Sequence, residues 1–193
     1  MDPLENSRRL KKAVCFAAQA HETQLRKGSA TPYILHPMEV CCILNAMGAD
    51  NDLLMAGLLH DTLEDTSATA YQLEKEFGPE VCQLVCRHTE DKSKSWTERK
   101  ERTIRELSDA DERLQMLVLA DKLANLRSMV RDFETLGAQL WDRFNAPKER
   151  QAWYYTSILQ TLAPLRRCPH AQEYWEEMAQ LVARLFGTPS ARS

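Results

Sequence analysis

The chain has 193 residues, of which 44% are hydrophobic and 27% charged, with a formal net charge of −3. That length suits one domain with a sizeable core, and the acidic balance excludes general attraction to nucleic acid while leaving room for a local basic pocket. No apolar run approaches the roughly 20 residues needed to span a bilayer, and residues 1–5 lack the basic start and apolar segment of a signal peptide, so a cytoplasmic protein is expected.

Gly and Pro are sparse, and apolar residues recur at helical spacing. Val14, Ala17, Ala18 and His21 mark a first helix, followed by a loop at residues 28–32. Pro37 suits the first turn of a second helix, which runs to about Met47 and Gly48. Asn51 or Asp52 is expected to cap a third, which contains the apolar run 53–59; Ser67 or Thr69 opens the next, ending at Phe77 and Gly78. Another helix follows through Val81, Leu84 and Val85, then a polar loop over 89–96 and a highly charged helix over 97–107. A long helix over 111–130 has an apolar centre at residues 117–120. After a turn near Pro147, helices run through Trp153, Ile158 and Leu162, and from Pro169 to about Phe186. The expectation is an all-α domain of roughly nine or ten helices over 1–187, with a disordered tail over 188–193. The six cysteines have no second pair to complete a zinc site with Cys82 and Cys86, and read as buried or half-buried thiols.

The chemistry concentrates in residues 60–65, where His60, Asp61, Glu64 and Asp65 follow the apolar run. Burying ionisable groups costs several kcal/mol unless they are paired or bind metal. His36 precedes Pro37 at a loop-to-helix junction, and Asp121 follows the apolar centre of the long helix. His36, His60, Asp61 and Asp121 together suit Mn²⁺, Fe²⁺, Co²⁺ or Zn²⁺. Taken singly, His36 reads as a cap or surface residue and Asp121 as an ion-pair partner of Lys122 or Arg127. His21, His88 and His170 lack this setting and read as structural or surface residues.

At residues 17–21, 24–27, 31–37, 58–66, 77–78, 91–92 and 119–127 the chain resembles the HD-domain phosphohydrolases. Within them it is similar to the hydrolase domain of RelA/SpoT proteins and the small alarmone hydrolases, over about residues 10–165. The resemblance implies an HD-domain helical bundle and a Mn²⁺-dependent hydrolase. Its reaction is removal of the 3′-pyrophosphate from (p)ppGpp-type nucleotides. His36, His60, Asp61 and Asp121 fall on the family's metal ligands, and Glu64 and Asp65 on its acid–base pair. The implied partner is a small nucleotide, with no nucleic acid polymer and no membrane; monomer and homodimer both stay open.

A substrate with five or more negative charges requires cations. Arg26 and Lys27 lead as phosphate or base contacts, with Asn125 one turn after Asp121. Lys92, Arg99 and Lys100 form a second basic group, and Lys148 and Tyr154 follow the Pro147 turn. Many relatives have Val-Thr-Asp-Asp-Lys where this chain has His88-Thr89-Glu90-Asp91-Lys92, so base preference stays open, and (p)ppApp is an alternative to the guanine nucleotide. Other readings are a different HD-group nucleotide phosphohydrolase (dNTPase, 5′-nucleotidase or NADPH phosphatase) and a non-catalytic nucleotide-binding module.

Overall fold

Seven consecutive apolar residues, Leu53 to Leu59, are all buried, so the helix carrying them has to sit at the centre of a bundle. The computed structural model describes residues 3–187. Its helices are α1 (Pro3–Ala20), α2 (Leu35–Ala46), α3 (Asn51–Leu59), α4 (Thr62–Asp65), α5 (Ala70–Phe77), α6 (Pro79–His88), α7 (Trp96–Ser108), α8 (Glu112–Leu136), α9 (Lys148–Thr161) and α10 (Gln172–Phe186). Two 3₁₀ segments, Gly137–Arg143 and Ala163–Arg167, flank α9. The described residues contain no strand, only an isolated bridge between Leu25 and Pro32. The all-α reading therefore holds. The tail expected at 188–193 lies outside the described residues.

Local chemistry sets the helix ends. The α3 cap is Asp50, whose side chain accepts from the Leu53 amide at 2.9 Å, and not Asn51 or Asp52. Asp52 instead meets Arg9 of α1 at 3.0 Å. Thr69 with Gln72, and Ser95 with Glu98, form reciprocal capping boxes that start α5 and α7. Asp111 caps α8, which runs six residues past the expected end at Val130, because Met129 and Val130 are still buried. Gly78 joins α5 to α6 at φ 94°, a conformation side chains disfavour, and Pro79 then begins α6.

α3 packs against α1, α2, α6 and α8. The second core helix, α8, buries Leu117, Leu119, Ala120, Leu123 and Ala124 against α2, α3 and α10. Arg127 ties α8 to α10 through two 2.7 Å bonds to Glu177. Each fully buried leucine contributes about 1.5–3 kcal/mol, so α3 and α8 hold their neighbours, and the side chains at their ends, in fixed register. No described helix is long and apolar enough to cross a membrane.

Candidate metal centre

Three elements deliver the cluster. α2 presents His36 in its first turn, His60 and Asp61 directly follow α3 at its junction with α4, and the buried middle of α8 presents Asp121. His60 Nε2 lies 2.9 Å from Asp61 Oδ2 and 3.8 Å from Asp121 Oδ1. His36 Nε2 lies 3.2 Å from Asp121 Oδ1 and 3.6 Å from Asp61 Oδ2. All four groups named from the sequence thus meet at one point.

The donor set fits a divalent cation. His60 Nδ1 donates to the Gly57 carbonyl at 2.8 Å, which leaves the lone pair on Nε2. That Nε2 is buried and finds no hydrogen-bond partner among the described residues. Burial pulls His60 down, but Asp61 and Asp121 outweigh it and raise its pKa to about 9. Burial dominates at His36 and lowers its pKa. Both carboxyls are themselves strongly buried, yet the imidazoles, and Lys122 at Asp121, hold them below the ordinary carboxylate range. The two carboxylates thus favour a positive charge at the Nε2 of His60, and a divalent cation would take the place of that proton. Around it, Tyr33 Oη donates to Asp61 at 2.6 Å, and Lys122 and Asn125 each donate to Asp121 at 2.6 Å. These outer bonds fix the carboxylates in place.

His88 belongs to this cluster, although the sequence reading left it as structural or surface. Its Nε2 is 3.3 Å from Asp121 Oδ2. The available signal was the spacing from Leu84 and Val85, which places residue 88 on the buried face of α6. His21 does have a structural role: its Nδ1 meets Gln24 Oε1 at 2.8 Å, and Gln24 donates to the Asp65 carbonyl at 2.6 Å.

Glu64 and Asp65 sit on the short turn α4, directly after the cluster. They do not cap the following helix, since Thr69 does that. Glu64 accepts from the Glu90 amide at 3.2 Å. Burial, with Glu90, Asp61 and Asp65 nearby, raises its pKa above the usual carboxylate value. Asp65 is ion-paired with Lys92, which stands 3.9 Å from Glu64.

Two cavities meet at Tyr33, His36 and Asn125. A polar one of about 210 Å³ is lined by His36, Asp61 and Asp121 of the cluster, with Glu64, Asp65, Glu90, Arg99, Lys100 and Lys122; His60 lies buried behind them. A larger one of about 500 Å³ is lined by Arg26, Lys27, Arg131 and Arg143, with Leu140, Phe144 and Tyr155. Gly28 (φ 75°) lets Arg143 of that wall approach closely: a Cβ there would stand 2.6 Å from Arg143 Nε. Of the residues expected to bind substrate, Arg26, Lys27, Asn125 and Arg99 line the cavities. Lys92 covers Asp65, and Lys148 lies 5.5 Å over Trp141; neither lines a cavity. Tyr154 is buried beneath Lys100 and Lys122 and also lies outside both linings.

The HD-domain family profile matches residues 13–150. The chain belongs to the HD-domain family. This HD-domain protein is 44% identical over 117 residues to the guanosine-3′,5′-bis(diphosphate) 3′-pyrophosphohydrolase MESH1 of Drosophila melanogaster, covering 59% of this chain. It spans 65% of that relative's length. The Xenopus tropicalis MESH1 is 41% identical over 122 residues, which cover 62% of this chain and 68% of that one. Among solved structures, a metazoan orthologue of SpoT that hydrolyses ppGpp superposes with a TM-score of 0.76 at 30% identity. That match covers 93% of this HD-domain protein and 97% of the orthologue.

Proposed function

We propose that this HD-domain protein is a divalent-metal-dependent hydrolase that removes the 3′-pyrophosphate of a (p)ppGpp-type nucleotide, releasing pyrophosphate and GDP or GTP. The observation that carries it is the His36–His60–Asp61–Asp121 cluster at the wall of the smaller cation-lined cavity, which joins the larger one at His36. The reactions of the MESH1 relatives and of the SpoT orthologue support it.

The metal in this reading is Mn²⁺, held by His36, His60, Asp61 and Asp121. When bound, such a cation lowers the pKa of a water and neutralises charge on the phosphate. The larger cavity takes the nucleoside and its 5′-phosphates, with Arg26 and Lys27 at its mouth. In the smaller one Arg99 and Lys100 face the 3′-pyrophosphate, with Lys122 behind them. Glu64, whose carboxyl is held above the usual carboxylate range by burial and by the neighbouring Glu90, Asp61 and Asp65, suits a group that takes and returns a proton. Asp65, paired with Lys92, keeps that ammonium beside Glu64. Asn125 holds Asp121 and faces both cavities, within reach of a ribose hydroxyl. Purine choice belongs to the larger cavity, and (p)ppApp is the second substrate to offer it. The same reading places the protein in the cytoplasm.

The test is product analysis with added Mn²⁺ on ppGpp, pppGpp, ppApp, NADPH and dNTPs. Pyrophosphate from the first three, abolished by EDTA, is the expected result. Free phosphate from NADPH or tripolyphosphate from dNTPs would instead assign another HD-type phosphohydrolase. Binding with no turnover of any of them would leave a non-catalytic module.

A further inference from the structure

α6 ends on His88, and the spacing of that helix decides where the ring goes. Leu84 and Val85 are buried, and position 88 follows them by four and three residues on the same face. That face packs against α3, which carries His60. The His88 side chain is only 8% exposed. Its Nε2 lies 3.3 Å from Asp121 Oδ2, and its ring centroid 5.2 Å from that of His60. Donor atoms of His60, Asp61 and His88 lie within 4.8 Å of one another, as do those of His36, His60 and Asp121. The two triads share His60 and are linked again by His36 to Asp61 at 3.6 Å and by His88 to Asp121 at 3.3 Å.

We propose that His88 is a fifth protein ligand of the same ion, completing a set of three imidazoles and two carboxylates. This rests on the metal-site reading above. A role for His88 confined to orienting Asp121 is redundant, because Lys122 and Asn125 already hold that carboxylate at 2.6 Å each. The Lys122 ammonium on Asp121 Oδ2 also opposes a second cation beside that oxygen, which favours one ion over two. Five protein ligands leave a single open position on a six-coordinate ion. That position admits one water, and phosphate recognition then falls to Arg99 and Lys100. A third imidazole also moves the donor set away from Mg²⁺ and toward transition metals.

The experiment titrates Mn²⁺ into the metal-free protein by calorimetry and counts coordinated imidazole nitrogens by pulsed EPR. The wild type is expected to hold one Mn²⁺ with three imidazoles. His88→Gln is expected to show two, with affinity lowered about tenfold or more. The thermal melt of metal-free His88→Gln, matched to metal-free wild type, verifies that the variant is folded. His88→Asp, which restores an oxygen ligand, is expected to recover part of the affinity with two imidazoles. Two imidazoles in the wild type, an unchanged count in His88→Gln, or two ions per chain would overturn the proposal and leave the four-ligand reading standing. Failure of the wild type to bind Mn²⁺ at all would overturn both.

Discussion

The His60 ring is locked by its Nδ1–H bond to the Gly57 carbonyl, one turn back on the same helix, at 2.8 Å. That bond turns the Nε2 lone pair toward Asp61 and Asp121. His60→Gln removes the lone pair at the centre of the cluster. Mn²⁺ affinity is expected to fall by more than the about 10–100-fold typical of losing an outer partner. Calorimetric titration checks this, and hydrolysis should disappear with the metal.

Gly57 also sets how closely α3 approaches α2. A Cβ there would lie 2.5 Å from Leu44 Cδ1, itself fully buried. Gly57→Ala gains about 0.5–1 kcal/mol of helix propensity but overpacks the core at a cost of about 1–3 kcal/mol. A net loss is expected, read as a lower urea midpoint at unchanged slope. Because His60 hangs from the same carbonyl, Mn²⁺ binding should weaken too.

Glu64→Gln keeps the shape and removes the proton acceptor. A fall in kcat of about 10²–10⁴ is expected, with Mn²⁺ affinity little changed. The wild-type rate should drop as pH falls through the raised Glu64 pKa, since a base must be ionised to act. Persistence of that acidic limb in the Gln variant would assign it to another group.

Glu90 gathers the cations of the smaller cavity. Lys100 donates to it at 2.7 Å and Arg99 stands at 3.2 Å. Burial acts to raise its pKa, but Lys100, Lys122 and Arg99 outweigh this and hold it below the usual value. A carboxyl depressed on folding contributes stability above its unfolded pKa, which is lost as pH falls through the folded one. Glu90→Gln should therefore destabilise the protein by about 3 kcal/mol at neutral pH, as for a broken buried pair. In melts taken from pH 7 to pH 3, the gap from wild type should close toward acid.

Arg26 lines the larger cavity where it meets the smaller, with Nη2 3.3 Å from Asn125 Oδ1 and its guanidinium 5.8 Å from the Tyr33 ring centre. It does not line the cavity that holds Glu64 and Asp65, so on the proposed reading it serves ground-state binding. Arg26→Ala is expected to raise KM about 10–100-fold with kcat within a few-fold. Steady-state kinetics on ppGpp separates the two; a collapse in kcat alone would move Arg26 into the chemistry.

The grouping of His36, His60, Asp61 and Asp121, with Glu64 and Asp65 beside them, was legible in the chain because these residues follow or open apolar helical runs. An ionisable residue in such a setting has few bland explanations. His88 was not, because a histidine at the end of a short amphipathic helix, read without its neighbours, looks like a surface residue. Lys92 and Lys148 show the same limit from the other side. A lysine's charge is visible in sequence, but whether it meets substrate, a carboxylate or a tryptophan face depends on what packs opposite. The α3 cap was misplaced by one or two residues because Asp50, Asn51 and Asp52 are all competent acceptors. Only the backbone at Asp50, extended at φ −71° and ψ 166°, brings its oxygen to the Leu53 amide.

Helical periodicity by itself determined an all-α chain with polar groups at the ends of buried helices, since the 3.6-residue repeat and burial cost act locally. Only the tertiary structure decided that residues 36, 60, 61, 88 and 121 come together as two triads sharing His60, beside the smaller cavity. Their convergence depends on α3 packing simultaneously on α2, α6 and α8, and such long-range packing leaves no mark in sequence spacing.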